Sequence, residues 1–274
     1  MADVDPVPAA RNGPAVPAKE GAPPLLVVSG LAREYGGLRA VADASFVVPS
    51  GVLYGLIGPN GAGKSTLLNI LAGAESPSAG KIEYRGADIT RWPAHVRARR
   101  GLVRTFQHSR EFARLTVLEN LLVAAKGVPG ESFGHVFTRR ARTWRRHELA
   151  ALERARGLLA RFGLQAKEND YAGELSGGQK RILEVLRAVM SEPQLLLLDE
   201  PLAGVNPRIA DEIGSYLGEL RRGGLTMLMV EHEFERVEAL CDSVIVMAQG
   251  SVIYEGHLRD ARKHEEVIRA YVSG

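Results

Sequence analysis

The sequence predicts an α/β fold with a core of parallel strands covered by helices, an antiparallel β subdomain at one edge and an inserted α-helical subdomain. The first observation behind this prediction is a set of short runs that are apolar on both faces, which is typical of parallel strands buried between helices. The last three runs are spaced by helix-like stretches. The runs cover residues 53–57, 195–198, 226–230 and 243–247.

The second observation is an antiparallel pattern that precedes the core. Residues 25–28 form an apolar run, and the glycines at 36 and 37 provide a turn. After that turn, apolar residues alternate with more polar ones on one face, as expected of a half-buried strand. The alternating residues are Ala42, Ala44, Phe46 and Val48. We therefore expect an antiparallel sheet at the edge of the core.

The third observation is a change to helical periodicity between about residues 115 and 189. A single apolar stripe of an Arg- and Glu-rich segment carries Leu149, Leu152, Leu159 and Phe162. We expect a helical subdomain over about 108–190, inserted in one domain that spans 25–274. Residues 1–24 hold six of the 14 prolines and no aromatic residue, and this composition predicts a disordered Pro/Ala-rich tail.

The composition is that of a globular chain and argues against several classes of function. Lys and Arg total 35 against 32 Asp and Glu, and a net charge of +3 is too small to make the whole surface bind nucleic acid. One cysteine, Cys241, excludes an internal disulfide and a cysteine metal cluster. No apolar run approaches the roughly 18 residues of a membrane span, and Asp3 and Asp5 do not suit a signal peptide. We expect a soluble protein that is not secreted and has no nucleic-acid partner.

A glycine-rich segment follows the first predicted core strand. It fits the phosphate-loop pattern G-x-x-x-x-G-K-[ST] and precedes an apparent helix over residues 65–72, so both flanks match the required context. The glycines let backbone N–H groups turn around a phosphate, the lysine reaches the terminal phosphates, and the serine can ligate Mg²⁺. The predicted nucleotide-binding residues are Gly58, Pro59, Asn60, Gly61, Ala62, Gly63, Lys64, Ser65 and Thr66.

Two acidic residues, Asp199 and Glu200, follow the second predicted core strand. Open α/β sheets bind ligands at the carboxyl ends of their strands. There Asp199 can hold Mg²⁺, directly or through water, and Glu200 can orient and polarise an attacking water. A solvated loop would also place two carboxylates after a strand. Their pairing with a phosphate loop favours the functional interpretation.

A third segment precedes a helical-looking stretch over residues 180–190. It consists of Leu175, Ser176, Gly177, Gly178 and Gln179. Ser176 with its glycine-rich entry is a complete helix cap by itself. A function for the segment would be a second anion-binding helix N-terminus, because the N–H groups there point away from the helix.

These motifs, in this order, make the chain similar to the ATPase subunits of ABC transporters over essentially residues 25–274. The segment 175–179 matches the signature sequence of that family, and residues 202–207 match its D-loop. Gln107 matches the Q-loop, His232 matches the switch histidine, and Tyr35 matches the aromatic residue that stacks on adenine. Their joint order is more specific than any one of them.

The resemblance implies a P-loop (RecA-like) nucleotide-binding core that hydrolyses ATP. ATP and Mg²⁺ are the implied cofactors, with Glu200, His232 and Gln107 as catalytic residues and with Ser65, Gln107 and Asp199 as metal ligands. It also implies a head-to-tail dimer with a second ATPase subunit, identical or paralogous, in which residues 175–179 act in trans. The free energy of ATP binding would then drive closure of the dimer.

Three of these assignments have simpler alternatives. Gln107 is alternatively an ordinary exposed polar residue. His232 is alternatively a surface or capping histidine rather than a donor to the γ-phosphate. Tyr35 can equally pack on the edge sheet.

Within the family, the chain most resembles the ATPase subunits of branched-chain (hydrophobic) amino acid importers. The segments that carry this resemblance are 103–108, 115–121, 203–207, 267–272 and the extra segment of about 126–146. Such a subunit would be peripheral, on the cytoplasmic face of the cell membrane, with separate membrane permease subunits as partners. The D-loop departs from the commoner pattern because it has Asn206 where many ABC ATPases have Asp.

Other functions remain open at this stage. ATPase subunits of urea or short-amide importers look much alike, and a lipid-exporting ABC ATPase shares the style of residues 203–205 and a basic stretch at 95–100. A non-transport ABC protein is the alternative of a different class, although the chain has one cassette and no long heptad array. Five arginines between 139 and 146 form either a solvated helix start or a site near the anionic leaflet or the permease.

Overall fold

The computed structural model describes residues 24–105, 112–126 and 141–272, with the backbone alone for 141–145. The described residues form two compact units, and one of the four chain positions at which the units divide lies within a helix. The first unit comprises Met1–Arg104, Gln194–Pro201 and Gly214–Gly274. The second unit comprises Thr105–Pro193 and Leu202–Ile213.

The first unit is built on a sheet to which ten strands of the described chain contribute. In chain order they are β1 (Leu26–Tyr35), β2 (Leu38–Val48), β3 (Leu53–Ile57), β4 (Ala79–Tyr84), β5 (Ala87–Asp88), β6 (Leu102–Arg104), β7 (Leu195–Asp199), β8 (Thr226–Val230), β9 (Ser243–Ala248) and β10 (Ser251–Gly256). Their order across the sheet is β5-β4-β1-β2-β10-β9-β3-β8-β7-β6.

The sheet has an antiparallel part and a parallel part, as the sequence predicts. Strands β1, β2, β4 and β5 pair antiparallel at one end, and the turn between β1 and β2 holds Gly36 and Gly37. Strands β9, β3, β8, β7 and β6 pair parallel at the other end. Strand β10 lies between the two parts, antiparallel to β9 and parallel to β2. The four predicted core strands are thus adjacent.

Helices cover both faces of the parallel strands. The helices that contribute to the first unit are α1 (Lys64–Ala72), α2 (Ala94–Arg99), the second half of α6 (Pro207–Arg222), α7 (Phe234–Leu240), α8 (Leu258–Ala261) and α9 (Glu265–Val272). On β3, Leu56 packs in the cluster that contains Leu67 of α1, whereas the next residue, Ile57, packs with Val237 and Val267 on the opposite face. This alternation explains why the strand is apolar at every position.

The second unit contains α3 (Val117–Ala124), α4 (Ala141–Arg161), α5 (Gly177–Met190) and the start of α6. Helix α3 packs against α4 and α5. The predicted apolar stripe on α4 is only partly buried: Leu159 is buried, whereas Leu149 is exposed. All the described side chains of α4 up to residue 150 are exposed, and buried ones occur only after it. None of the helices in the described ranges is long and apolar enough to cross a membrane.

A buried arginine in the first unit fixes the end of α1. Arg97 on α2 is 1% exposed, and its guanidinium donates to the carbonyl oxygens of Ile70 and Leu71 at 2.7 Å. It also donates to the carbonyls of Trp92 and Thr90 at 2.9 and 3.0 Å. Burial lowers the pKa of Arg97 to about 10. The cation thus donates to carbonyls at the end of α1, of which that of Ile70 also accepts from the N–H of Gly73, and it complements the negative dipole of the helix.

We expect Arg97→Met to lower the free energy of unfolding by about 3 kcal/mol or more, because it removes the guanidinium donor from the buried Leu71 carbonyl and from the partly buried carbonyls of Thr90 and Trp92. Urea unfolding followed by circular dichroism measures this change. Arg99→Met is the matched control, because Arg99 is an exposed arginine of the same helix and should change stability by about 0.5 kcal/mol or less. Equal losses for the two variants would contradict the role of Arg97.

Candidate functional site

The predicted phosphate loop connects β3 to α1 in the first unit. Strand β3 ends at Ile57, and α1 begins at Lys64, one residue earlier than the sequence predicts. The loop turns back on itself, with the N–H of Ala62 donating to the carbonyl of Pro59 at 3.2 Å. Ser65 is exposed and Thr66 half-buried in the first turn of the helix. The loop therefore presents the N-terminus of a nine-residue helix, which is the arrangement that binds phosphate.

Two glycines are required where this loop passes close to other backbone. Gly63 caps α1 with a φ of 98°, and a Cβ there would lie 2.3 Å from the carbonyl oxygen of Ala40. A Cβ on Gly58 would lie 2.1 Å from the carbonyl oxygen of Met247. Any larger residue at either position would push the loop away from the sheet. The glycines of the motif thus have a steric reason in addition to their proposed contact with phosphate.

Lys64 lies over the phosphate loop rather than pointing into solvent. Its ammonium donates to the carbonyls of Gly58 at 2.7 Å and Pro59 at 2.9 Å, and the residue is buried. Burial lowers the pKa of Lys64, and the opposing charges of Glu200 and Asp199 partly restore it. The ammonium is therefore electrostatically coupled to both acidic residues.

The two acidic residues lie at the carboxyl end of β7, which is separated from β3 by β8. Asp199 is the last residue of β7 and is buried, with its backbone in register with Val230 of β8. Glu200 follows with a φ of 49°, a conformation that is uncommon for a residue other than glycine. Its N–H donates to the carbonyl of Val230 at 3.1 Å. Positive φ values at non-glycine residues cluster at functional sites, so this geometry is notable.

His232 contacts Glu200 directly. Its Nε2 lies 2.7 Å from Oε1 of Glu200, and His232 follows β8 by two residues. An ionised carboxylate can only accept a hydrogen bond, so Nε2 carries the proton in this contact. Both residues were expected to face the nucleotide, but the sequence did not predict that they would contact each other. The arrangement can hold a carboxylate in one orientation beside the phosphate loop.

Tyr35 lies at the end of β1 and is 40% exposed. The guanidinium carbon of Arg33 lies 4.6 Å from the centre of its ring, and its hydroxyl donates to Oε2 of Glu75. The ring therefore stays at the surface rather than in the apolar core. An exposed aromatic ring suits stacking on a base.

The segment from Leu175 to Gln179 belongs to the second unit and starts α5. Ser176 Oγ accepts from the N–H of Gln179 at 3.4 Å, and Oε1 of Gln179 accepts from the N–H of Ser176 at 3.0 Å. This reciprocal capping box is the simpler structural role considered above. Ser176 and Gly177 are exposed, and a Cβ on Gly178 would lie 2.6 Å from Cδ1 of Ile209. That atom is the far end of a flexible side chain, which can move to admit a Cβ.

Asn206, the departure from the commoner D-loop, caps α6. Its Oδ1 accepts from the N–H of Ile209 at 2.9 Å. Asparagine and aspartate cap helices about equally well, so this role does not need a negative charge.

Two predicted features lie outside the described residues. They are Gln107 and, in the arginine cluster of residues 139–146, the side chains of every arginine before Arg146. Arg146 itself is exposed.

A second set of polar contacts at this site was also not predicted. Arg104, the last residue of β6, donates from Nη2 to Oδ2 of Asp199 at 2.8 Å. Its other terminal nitrogen, Nη1, donates to Oδ1 of Asn69 on α1. A basic residue in an otherwise apolar short strand is the only sequence signal that could have indicated this contact. Arg104 lies 95 residues from Asp199, so no local pattern joins them.

The fold and the phosphate loop define a P-loop nucleotide-binding ATPase. The family model described as ABC transporter matches residues 41–203, more than half of the chain. The chain therefore belongs to the ABC transporter family, as one of its ATP-binding cassettes. This result confirms the resemblance and the fold class predicted from the motifs.

Two curated relatives cover almost all of the chain. It is 39% identical over 251 residues to the high-affinity branched-chain amino acid transport ATP-binding proteins BraF of Pseudomonas aeruginosa and LivG of Escherichia coli. Each alignment covers 91% of this chain and 98% of the relative. A crystal structure of the ADP conformation of an ATP-binding cassette of an ABC transporter is 31% identical, with a TM-score of 0.76 and coverage of 92% of this chain and 100% of that chain.

Proposed function

We propose that this chain is the ATP-hydrolysing subunit of an importer for branched-chain or related amino acids. The observation that carries the proposed chemistry is the Glu200–His232 contact of 2.7 Å. The charges of Glu200 and Asp199 also act on the pKa of Lys64 in the phosphate loop. The substrate class is supported by the names of relatives that match 91% of the chain. Separate permease subunits would carry the amino acid across, with this subunit peripheral on the cytoplasmic face.

ATP would bind along the carboxyl ends of β3 and β7. The adenine would stack on Tyr35, which is exposed, and the phosphates would lie in the loop from Gly58 to Thr66. Lys64 would move from the carbonyls of its own loop to the terminal phosphates, because an anionic oxygen is a stronger acceptor than a neutral carbonyl. The N-terminus of α1 would add its partial positive charge.

Magnesium fits the donors present at this site. Ser65 and Asp199 offer oxygen atoms, with Gln107 as a third proposed ligand, and oxygen is what Mg²⁺ prefers. Mg²⁺ keeps several waters and usually takes one or two carboxylates beside the substrate phosphates, and Asp199 is the carboxylate at this site. Within the described ranges no group of three or more His, Cys, Asp or Glu side chains could hold a metal. Bound Mg²⁺ would neutralise phosphate charge.

Hydrolysis would use the acidic residue that follows β7. A water oxygen attacks the γ-phosphorus, the bond from that phosphorus to the bridging oxygen breaks, and ADP leaves. Glu200 accepts the proton of the attacking water. Nε2 of His232 would keep the carboxylate oriented before ATP binds, and with ATP bound the same N–H would donate to the γ-phosphate or order the water. Gln107 would sense that phosphate.

We further propose that two ATPase subunits form the working unit, identical or paralogous. The exposed Ser176 and Gly177 at the start of α5 would complete the partner subunit's nucleotide site, together with Leu175, Gly178 and Gln179. The capping box uses the N–H of Gln179, so the N–H groups nearer the helix start would face the phosphate. Asn206 would then support communication through hydrogen bonds rather than through charge.

Uptake of labelled substrates by whole cells tests the substrate class. Cells that lack this chain should lose uptake of leucine, isoleucine and valine. The wild-type chain should restore that uptake, whereas Glu200→Gln should not. Normal leucine uptake together with lost uptake of urea or short amides would overturn the substrate and favour the second importer class. Normal uptake of all of them would overturn the importer assignment.

A further inference from the structure

Arg104 is almost fully buried against the proposed metal ligand. Strand β6 pairs parallel with β7, which places the last residue of β6 beside the acidic end of its neighbour. The side chain of Arg104 is 10% exposed and that of Asp199 is 1% exposed, and their contact is 2.8 Å long. A carboxylate withdrawn from water to this extent requires charge compensation and a fixed geometry. Arg104 provides a cation at the distance of a direct hydrogen bond.

The second arm of Arg104 is anchored on the helix that begins at the phosphate loop. Asn69 on α1 accepts from Nη1 through its amide oxygen. The amide nitrogen of Asn69 donates to Oε1 of Glu75 at 2.6 Å, which fixes the orientation of the amide. Oε2 of the same carboxylate accepts from the hydroxyl of Tyr35. Each prong of the guanidinium is thus held by a side chain from a different element.

We propose that Arg104 is a positioning residue that holds the Asp199 carboxylate in the orientation needed for Mg²⁺, using α1 as its anchor. This inference rests on the proposed binding of nucleotide with Mg²⁺. Arg104 engages Oδ2, so its contact does not itself block the other oxygen of Asp199. Partners that orient a metal-ligating carboxylate typically set metal affinity by about 10- to 100-fold.

The geometry requires an arginine rather than any cation. A guanidinium is planar and presents two terminal nitrogens in a fixed fork, so it can bridge Asn69 and Asp199 at once. A lysine ammonium would keep the positive charge but lies at the end of a flexible stem. Arg104→Lys therefore separates orientation from charge compensation.

The test measures metal affinity and metal-free nucleotide affinity separately on the full chain. ADP is titrated by calorimetry with EDTA present, and Mn²⁺ is then titrated into the ADP complex and followed by electron paramagnetic resonance. For Arg104→Lys we expect Mn²⁺ affinity to fall about 10- to 100-fold. ADP affinity in EDTA should stay within about twofold of the wild type, because that measurement does not depend on the metal ligand.

Two further variants keep the test decisive. Asn69→Ala leaves the Arg104–Asp199 pair intact but removes the anchor of Arg104 on α1. Mn²⁺ affinity should therefore also fall, by a smaller factor than in Arg104→Lys. If Arg104→Lys fails to fold, Asn69→Ala alone tests the positioning role. Arg221→Lys is the matched control, because Arg221 makes a 2.9 Å ion pair with Asp242 elsewhere in the first unit. It should leave both affinities unchanged.

The outcomes are distinct. Unchanged Mn²⁺ affinity in Arg104→Lys and Asn69→Ala would overturn the positioning role. Equal losses of Mn²⁺ affinity and metal-free ADP affinity would also overturn it, because they would indicate a general structural role. A wild-type chain that bound no ADP would contradict the proposed function itself.

Discussion

Glu200→Gln is expected to bind ATP but to hydrolyse it about 10²- to 10⁴-fold more slowly than the wild type. The amide has nearly the shape of the carboxylate, and its oxygen can still accept the hydrogen bond from Nε2 of His232. What the variant loses is the ability to accept a proton from the attacking water. Phosphate release measures the rate, and a direct titration measures ATP binding. Because ATP persists, the dimer should also be more stable, which analytical ultracentrifugation can detect.

Glu233→Gln provides the matched control for this experiment. Glu233 is an exposed carboxylate one residue after His232, and it pairs with Arg236 at 2.9 Å. Removing its charge should leave the hydrolysis rate close to that of the wild type. If Glu200→Gln kept a near-normal rate, Glu200 would not be the proton acceptor.

Lys64→Ala is expected to weaken ATP binding about 10- to 100-fold, which corresponds to the loss of one or two charge-assisted hydrogen bonds. The lysine is the proposed donor to the terminal phosphates, and alanine keeps the helix while removing the cation. The substitution also removes the donor that Gly58 and Pro59 share. Calorimetric titration with ATP measures the affinity, and circular dichroism verifies that the variant is folded.

Lys81→Ala is the control for the loss of a positive charge, because Lys81 is on β4 and pairs with Glu83 at 2.8 Å at the surface. Its ATP affinity should match that of the wild type. Intact ATP affinity in a folded Lys64→Ala variant would contradict the assignment of Lys64.

The parallel strands could be predicted because the burial of each strand is visible in its own short stretch of sequence. Each residue of β3, β7 and β8 is buried, and each strand forms a five-residue run without charged residues apart from the terminal Asp199 of β7. The phosphate loop was equally accessible, because its glycines, lysine and serine act within nine consecutive residues. Helix α1 begins next to it, as the motif predicts. Both features could therefore be predicted without knowledge of the rest of the fold.

Short and half-exposed elements left no comparable signal. Strand β6 has only three residues, and β4 is exposed at its first three positions, so neither forms an apolar run. Helix α2 was not predicted either, since its buried residue is an arginine. Arg97 is buried only because the carbonyls at the end of α1 approach it. That approach depends on tertiary packing, which no local pattern records.

The contacts within the site were the hardest part to predict. Glu200 and His232 are 32 residues apart, and Arg104 is 35 residues from Asn69. The two acidic residues were identified because they follow a core strand and accompany a phosphate loop, whereas the histidine was identified through the resemblance to the family. It did not indicate which side chains meet, because contact across neighbouring strands depends on strand order and register. The order β3-β8-β7-β6 supplies that information.

Identification of the partners in the membrane tests the central claim most directly. The chain would be tagged in its native cells, membranes would be solubilised gently, and proteins that co-purify would be identified by mass spectrometry. We expect two permease subunits with several membrane spans each, together with a second ATPase subunit that is either this chain or a paralogue. A set of partners without any membrane protein would contradict the importer function and leave only the ATPase.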